Sequence, residues 1–177
     1  MTDIAGPAHA PGTPDPAPGG APEGPAASGG RTRWPAYALA VVFLGYAAGK
    51  AVYAAQGRLG FPSGPAVSAG EHERYAEQMM DVALTQWLAV ATGVLCAALV
   101  VATVTSAGRR VPRVLMLPAL AVMLVGIGAG AVTLVVDGFV GIGVGWQWYH
   151  GVVGAVVLGL MAATTGSYLR ESRRGAV

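Results

Sequence analysis

One cysteine, Cys96, serves all 177 residues. With no second thiol, an intramolecular disulfide, a CxxC redox pair and a cysteine metal cluster are all excluded. Quinone-linked thiol chemistry would need a partner's sulfur. Histidine is almost as scarce: His9, His72 and His150 are all there are, and only His150 lies in an apolar run. Two axial histidines for an intramembrane haem are therefore missing. Charge is sparse too, 11% of residues against about 25% in soluble domains, which argues against an ordinary soluble protein. HExxH, GxSxG and the phosphate-cradling GxxxxGK do not occur. No basic face interleaved with aromatics offers itself to nucleic acid. The chain thus carries no signature of a metal or cofactor, and none is expected.

What is present is apolar mass, 54% of residues, concentrated after Trp34. Residues 1–33 instead carry Pro7, Pro11, Pro14, Pro16, Pro18, Pro22 and Pro25 among Gly and Ala. Such a stretch buries too little apolar surface to offset its ordering entropy, so a disordered tail with polyproline character is expected. It is too long for a secretory n-region, and its only bases, Arg31 and Arg33, come at its end. A Pro-rich docking ligand is the alternative, but no fixed basic residue flanks a PxxP.

Four hydrophobic segments follow, over 34–55, about 82–106, 114–136 and 146–169. At 1.5 Å per residue each can cross a hydrocarbon core of about 30 Å. The expected fold class is an all-α membrane protein, a four-helix transmembrane bundle over 34–170 with a short basic tail at 171–177. Pro35 suits a first helical turn. Ser68 and Glu71 form a capping-box pattern, which predicts a polar extension of the second span through Glu71, Glu73, Arg74 and Glu77.

Basic residues in short loops set orientation. Arg31 and Arg33, then Arg109, Arg110 and Arg113, then Arg170, Arg173 and Arg174 all fall on one side of a four-span chain. The other side carries Glu71, Glu73, Glu77, Asp81 and Asp137, with only Arg58 and Arg74 as loop bases. A multi-pass protein of the inner (plasma) membrane with both termini cytoplasmic is the expectation. The competing reading makes the first span a long signal sequence cleaved after Val52-Tyr53-Ala54, against which stands Lys50 near its end.

Helical spacing then proposes faces. Phe43, Tyr46, Lys50 and Tyr53 share one in the first span; Gln78, Asp81, Thr85, Thr92, Cys96 and Thr103 share one in the second. The third aligns Gly126, Gly130, Thr133 and Asp137, and the fourth Gln147, His150, Gly154, Met161 and Thr165. Small and hydroxyl residues favour helix contacts in lipid, so these four stripes are expected to face one another. The run Gly126, Gly128, Gly130 reads as close helix packing rather than a nucleotide loop. Small-xxx-small pairs at Gly45/Gly49 and Gly151/Ala155 allow a homo-oligomer.

The ionisable members fall at one depth near the external ends. Lys50, Asp81, Asp137 and His150, with Gln86 and Gln147 and with Tyr46 and Tyr149 nearby, form a candidate ligand-binding layer, since intramembrane ionisable groups are costly unless paired. Bland alternatives stand beside it. Lys50 can snorkel to the headgroups or pair with Asp81 or Asp137; the two aspartates can be solvated helix ends; His150 can belong to an interfacial aromatic belt with Trp146, Trp148 and Tyr149. A catalytic role lacks a nucleophile or metal set to accompany His150 and Asp137.

The stretch Gly45-Tyr46-Ala47-Ala48-Gly49-Lys50-Ala51-Val52-Tyr53-Ala54-Ala55-Gln56-Gly57-Arg58-Leu59-Gly60-Phe61-Pro62 resembles a group of small four-helix integral membrane proteins of actinobacteria. Their first helix ends with a Lys followed by an aromatic-Ala-x-Gly-Gly stretch and a Gly-x-Pro loop. This chain departs at 53–57, where Trp and a second Gly would be expected. The resemblance implies a four-span inner-membrane protein and carries no activity. The functional expectation is a non-enzymatic bundle or partner-interaction protein; the alternative is a small-molecule or lipid binder, or a proton-coupled carrier, using the external polar layer.

Overall fold

The computed structural model describes residues 33–78, 81–141 and 146–174, and all regular structure among them is helical. The elements are α1 (Trp34–Ala55), α2 (Ala69–Gln78), α3 (Val82–Ala102), α4 (Arg113–Val140) and α5 (Trp148–Arg174), with a short 3-10 turn at Gly108–Arg110 before α4. The expected disordered tail lies outside the described residues but for Arg33.

Four of these helices are long and apolar enough to cross a membrane: α1, α3, α4 and α5. Their boundaries depart from the sequence pattern at ends where polar residues decide. The second span stops at Ala102, where Thr103 turns its hydroxyl onto the Val100 carbonyl at 2.6 Å. At its other end α4 runs past Val136 to Val140 and stops at Gly141, whose φ of 73° is the left-handed value a glycine adopts without strain. Pro118 sits inside α4 without interrupting it. On α5 the helix continues to Arg174, so Arg170 and Arg173 ride its last turns.

The expected polar extension of the second span is a separate helix. Ser68 and Glu71 make the capping box, the carboxylate accepting from the Ser68 N–H (3.0 Å) and hydroxyl (2.9 Å). Those two hydrogen bonds, with Arg74 nearby, hold the Glu71 carboxyl below the usual carboxylate range. But α2 ends at Gln78, and Asp81 starts α3 afresh: its backbone is extended (φ −49°, ψ 125°) and its carboxylate caps the Leu84 N–H at 2.8 Å.

The helices pack as two pairs, α1 against α3 and α4 against α5, with α5 also on α1. Leu39, Phe43, Cys96, Val100, Met116, Leu120, Met123 and Met161 are central to the shared core. Glycines set the closest approaches. A Cβ on Gly93 would meet Ala47 Cβ at 3.0 Å, and one on Gly154 the Ala131 carbonyl at 2.7 Å; Gly138 is pressed against the Gly151 backbone. The Arg113 guanidinium donates to the Ser172 carbonyl at 3.2 Å, fixing the basic ends of α4 and α5 together.

The expected convergence of four stripes holds in part. Phe43, Lys50, Cys96, His150, Gly154 and Met161 point inward. On α4 the expected face is the wrong one: Gly126, Gly130 and Thr133 are exposed, and the buried line is Met116, Leu120, Met123, Gly128, Ala131 and Gly138. A Cβ at Gly126, Gly128 or Gly130 would meet nothing within 4 Å, so this run does not mediate close packing inside the chain. The reason is that α4 is apolar all round, and spacing cannot select among equivalent faces.

Candidate functional site

The site is built around the segment that leaves α1. At the end of that helix Gly57 takes φ +60°, and two hydrogen bonds, Gly57 N–H to Ala54 O (3.1 Å) and Arg58 N–H to Tyr53 O (3.0 Å), make a Schellman stop. The chain is thereby thrown back across the helix ends. Pro62 lies on Gly49, where a Cβ would be 2.5 Å from the proline Cγ, and Gly60 lies under the Tyr53 ring. Gly49, read from sequence as half of an oligomer motif, is thus the seat of the loop.

Three buried polar side chains hold the loop from below and from the side. Lys50, 4% exposed, donates its ammonium to the Gly60 carbonyl at 2.8 Å. Gln86 of α3, 1% exposed, reaches the same carbonyl with its amide nitrogen at a long 3.5 Å. His150 of α5 contacts the Ser63 carbonyl through Nε2 at 2.6 Å. Its other nitrogen, Nδ1, accepts the Gln147 N–H at 3.1 Å, so His150 fills the place a Glu or Gln takes in a capping box at the start of α5. A carbonyl only accepts, so Nε2 carries the proton and the ring is the neutral Nε2–H tautomer.

Aromatic rings complete the clasp. The Lys50 ammonium lies 4.4 Å from the Phe61 ring centroid and 5.7 Å from that of Tyr46, within cation–π range. Phe61 meets Trp146 edge-on at 5.5 Å, Trp146 meets His150 at 4.8 Å, and Tyr149 lies 4.2 Å from His150 on its other side. From α2, His72 accepts the Leu59 N–H on its Nδ1 at 3.3 Å.

Of the residues the sequence singled out, the structure brings Lys50, Gln86 and His150 together around one loop, with the Gln147 backbone attached to His150. It leaves the aspartates aside. Asp81 is an exposed helix cap, and the half-buried Asp137 carboxylate takes no hydrogen bond or ion pair from a described residue. Lys50 is neither snorkelled nor paired with a carboxylate among the described residues; its partners are a backbone carbonyl and two rings. The Gln86 amide oxygen is buried without a hydrogen-bond partner among the described residues.

Sequence reasoning did not single out Gly60, Ser63 or His72 as site residues. Gly60 and Ser63 act through backbone carbonyls, which have no signature in residue type beyond the Gly60-Phe61-Pro62 stretch, whereas His72 acts through its imidazole on the Leu59 N–H. Comparison with known protein families, with curated proteins and with solved structures finds no match.

Proposed function

We propose that this chain is a multi-pass protein of the inner membrane with both termini cytoplasmic, and that its role is structural or partner-binding rather than catalytic. The observation that carries the reading is that Lys50, Gln86 and His150 direct their hydrogen bonds to backbone carbonyls of one loop instead of to one another or toward an open cleft. Such a layer positions a loop at the mouth of the bundle. Large outward side chains such as Val41, Leu95, Val114, Val122 and Val125 are about 70% exposed, as suits a molecule whose solvent is lipid. The three arginine clusters on one side support the orientation. The exposed Gly126, Gly130 and Thr133 face of α4 supports a contact with a second copy.

A second reading, a binder of a small polar molecule or lipid headgroup at the same layer, is favoured by the Gln86 oxygen, which has no hydrogen-bond partner among the described residues, and by Lys50, which has no anionic partner among them. Native mass spectrometry combined with thermal melting of the detergent-purified protein separates the two. Under the structural reading the spectrum is ligand-free and Lys50→Ala and His150→Ala lower the melting temperature. A bound species in wild type that both variants lose, at unchanged melting temperature, overturns that reading in favour of the second.

A further inference from the structure

We infer that the 57–65 loop is an acid-released lid, latched by His72 and His150 in their neutral forms. Both rings use Nδ1 as an acceptor for a backbone N–H: His72 for Leu59 at 3.3 Å, His150 for Gln147 at 3.1 Å. They stand on different helices, α2 and α5, and grip opposite parts of the loop, Leu59 and Ser63. A proton on Nδ1 would set N–H against N–H at each place. Protonation of His72 and closure of its latch therefore exclude one another, and protonation of His150 breaks its bond with the Gln147 N–H.

The His150 latch is doubly determined. Its Nε2 proton is committed to the Ser63 carbonyl at 2.6 Å, and when Nδ1 is also protonated the ring loses the Gln147 N–H that orients it toward Ser63, so the contact loses its support. Ser63 is itself held at φ +61°, the left-handed region that a serine enters only at a cost. The loop is thus closed by contacts that offset local strain, and losing them favours release.

The groups around the rings leave histidine as the species that changes charge. Against His150 lie Trp146 and Tyr149, and Lys50 of α1 stands beyond Trp146 and Phe61. His72 bonds the residue after Arg58, and the charged residues of its own helix α2 are Glu71, Glu73, Arg74 and Glu77. Among unperturbed side chains only histidine changes charge between about pH 5 and 8. The sign follows by linkage: the open state takes up protons that the closed state refuses, so closure is complete above the histidine range and weakens as pH falls through it. Release uncovers Lys50 and the Gln86 amide oxygen in the bundle mouth.

Hydrogen exchange read by mass spectrometry on the full chain in detergent, corrected for intrinsic rate at each pH, tests this. With the ordinary histidine range for the open state, protection of 58–64 falls about tenfold per latch between pH 7.5 and 5.5, about a hundredfold for both. Protection of the α5 interior, 156–165, stays constant. The double variant His72→Asn/His150→Gln keeps a neutral acceptor in place of Nδ1 on α2 and an amide that can both donate and accept on α5, and holds 58–64 closed at both pH values. Each single variant removes half of the logarithmic response, which decides the matter should the double variant not fold. Less than a twofold change in wild type overturns the lid, as does an equal fall in the double variant or a fall in 156–165 that accompanies that in 58–64.

Discussion

Ser63 is where the loop concentrates its local strain. A left-handed backbone costs an ordinary residue about 1–2 kcal/mol, and its φ of 61° is tolerated while His150 holds the carbonyl. Glycine adopts this conformation freely and a β-branched residue resists it. Ser63→Gly is therefore expected to slow exchange of the 58–64 amides at pH 7.5, and Ser63→Val to speed it. Glu71 gives a second residue-scale expectation. Its carboxyl is held below the ordinary range by the Ser68 N–H, then by the Ser68 hydroxyl. The cap is consequently fully present above the ordinary glutamate value of about 4.3 and is lost only as pH falls through the lower, folded one. A titration of the Ser68 amide proton by NMR should show a midpoint below 4.3, and Glu71→Gln should remove it. At this scale the sequence was informative about polar side chains and silent about their partners. Lys50, Gln86 and His150 stand out in apolar runs, but what they bind is Gly60 O and Ser63 O. Those carbonyls reach the bundle only because Gly57 turns the chain back. Asp81 was visible as an acid at a helix end, and the cap it makes is a common use of such an acid.

At the scale of elements, existence and type were legible because runs of this length and hydropathy admit little else in a membrane. Facing was not. The α4 glycines illustrate why: Gly126, Gly128 and Gly130 have open space at the Cβ position, while Gly138 lies against the Gly151 backbone. Backbone cannot move aside as a flexible side chain can, so α4 and α5 must separate to admit a methyl group at 138. Gly138→Ala is expected to lower the melting temperature clearly, by about 1–3 kcal/mol of overpacking, whereas Gly128→Ala leaves it unchanged or raises it through the better helix propensity of alanine. Differential scanning of the two variants in one detergent decides. The outer line of α4 makes a separate expectation. If it meets a second copy, Gly126→Leu/Gly130→Leu lowers the subunit number in native mass spectra without lowering the melting temperature, because neither position is packed within the chain.

For the whole molecule, the loop is the join between two helix pairs. Lys50 and Gln86 come from the α1 and α3 pair and bind Gly60; His150 comes from the α4 and α5 pair and binds Ser63, only three residues further on. At the opposite, basic end Arg113 ties α4 to α5 through the Ser172 carbonyl. The two aspartates of the sequence-derived layer add nothing to the join: one caps a helix and the other takes no partner among described residues. The central claim, that buried side chains clamp this loop across the bundle mouth, is tested most directly by trypsin at Arg58. That residue is exposed, but its own N–H is bonded to Tyr53 O and the next N–H to His72, so cutting requires the loop to lift. Lys50→Met removes the charged hydrogen bond to Gly60, worth about 1.5–3 kcal/mol, or tenfold and more in the lifted population. Cleavage after Arg58 at pH 8 should accelerate at least tenfold in Lys50→Met and remain at the wild-type rate in Asp137→Asn; equal rates in wild type and Lys50→Met would contradict the clamp.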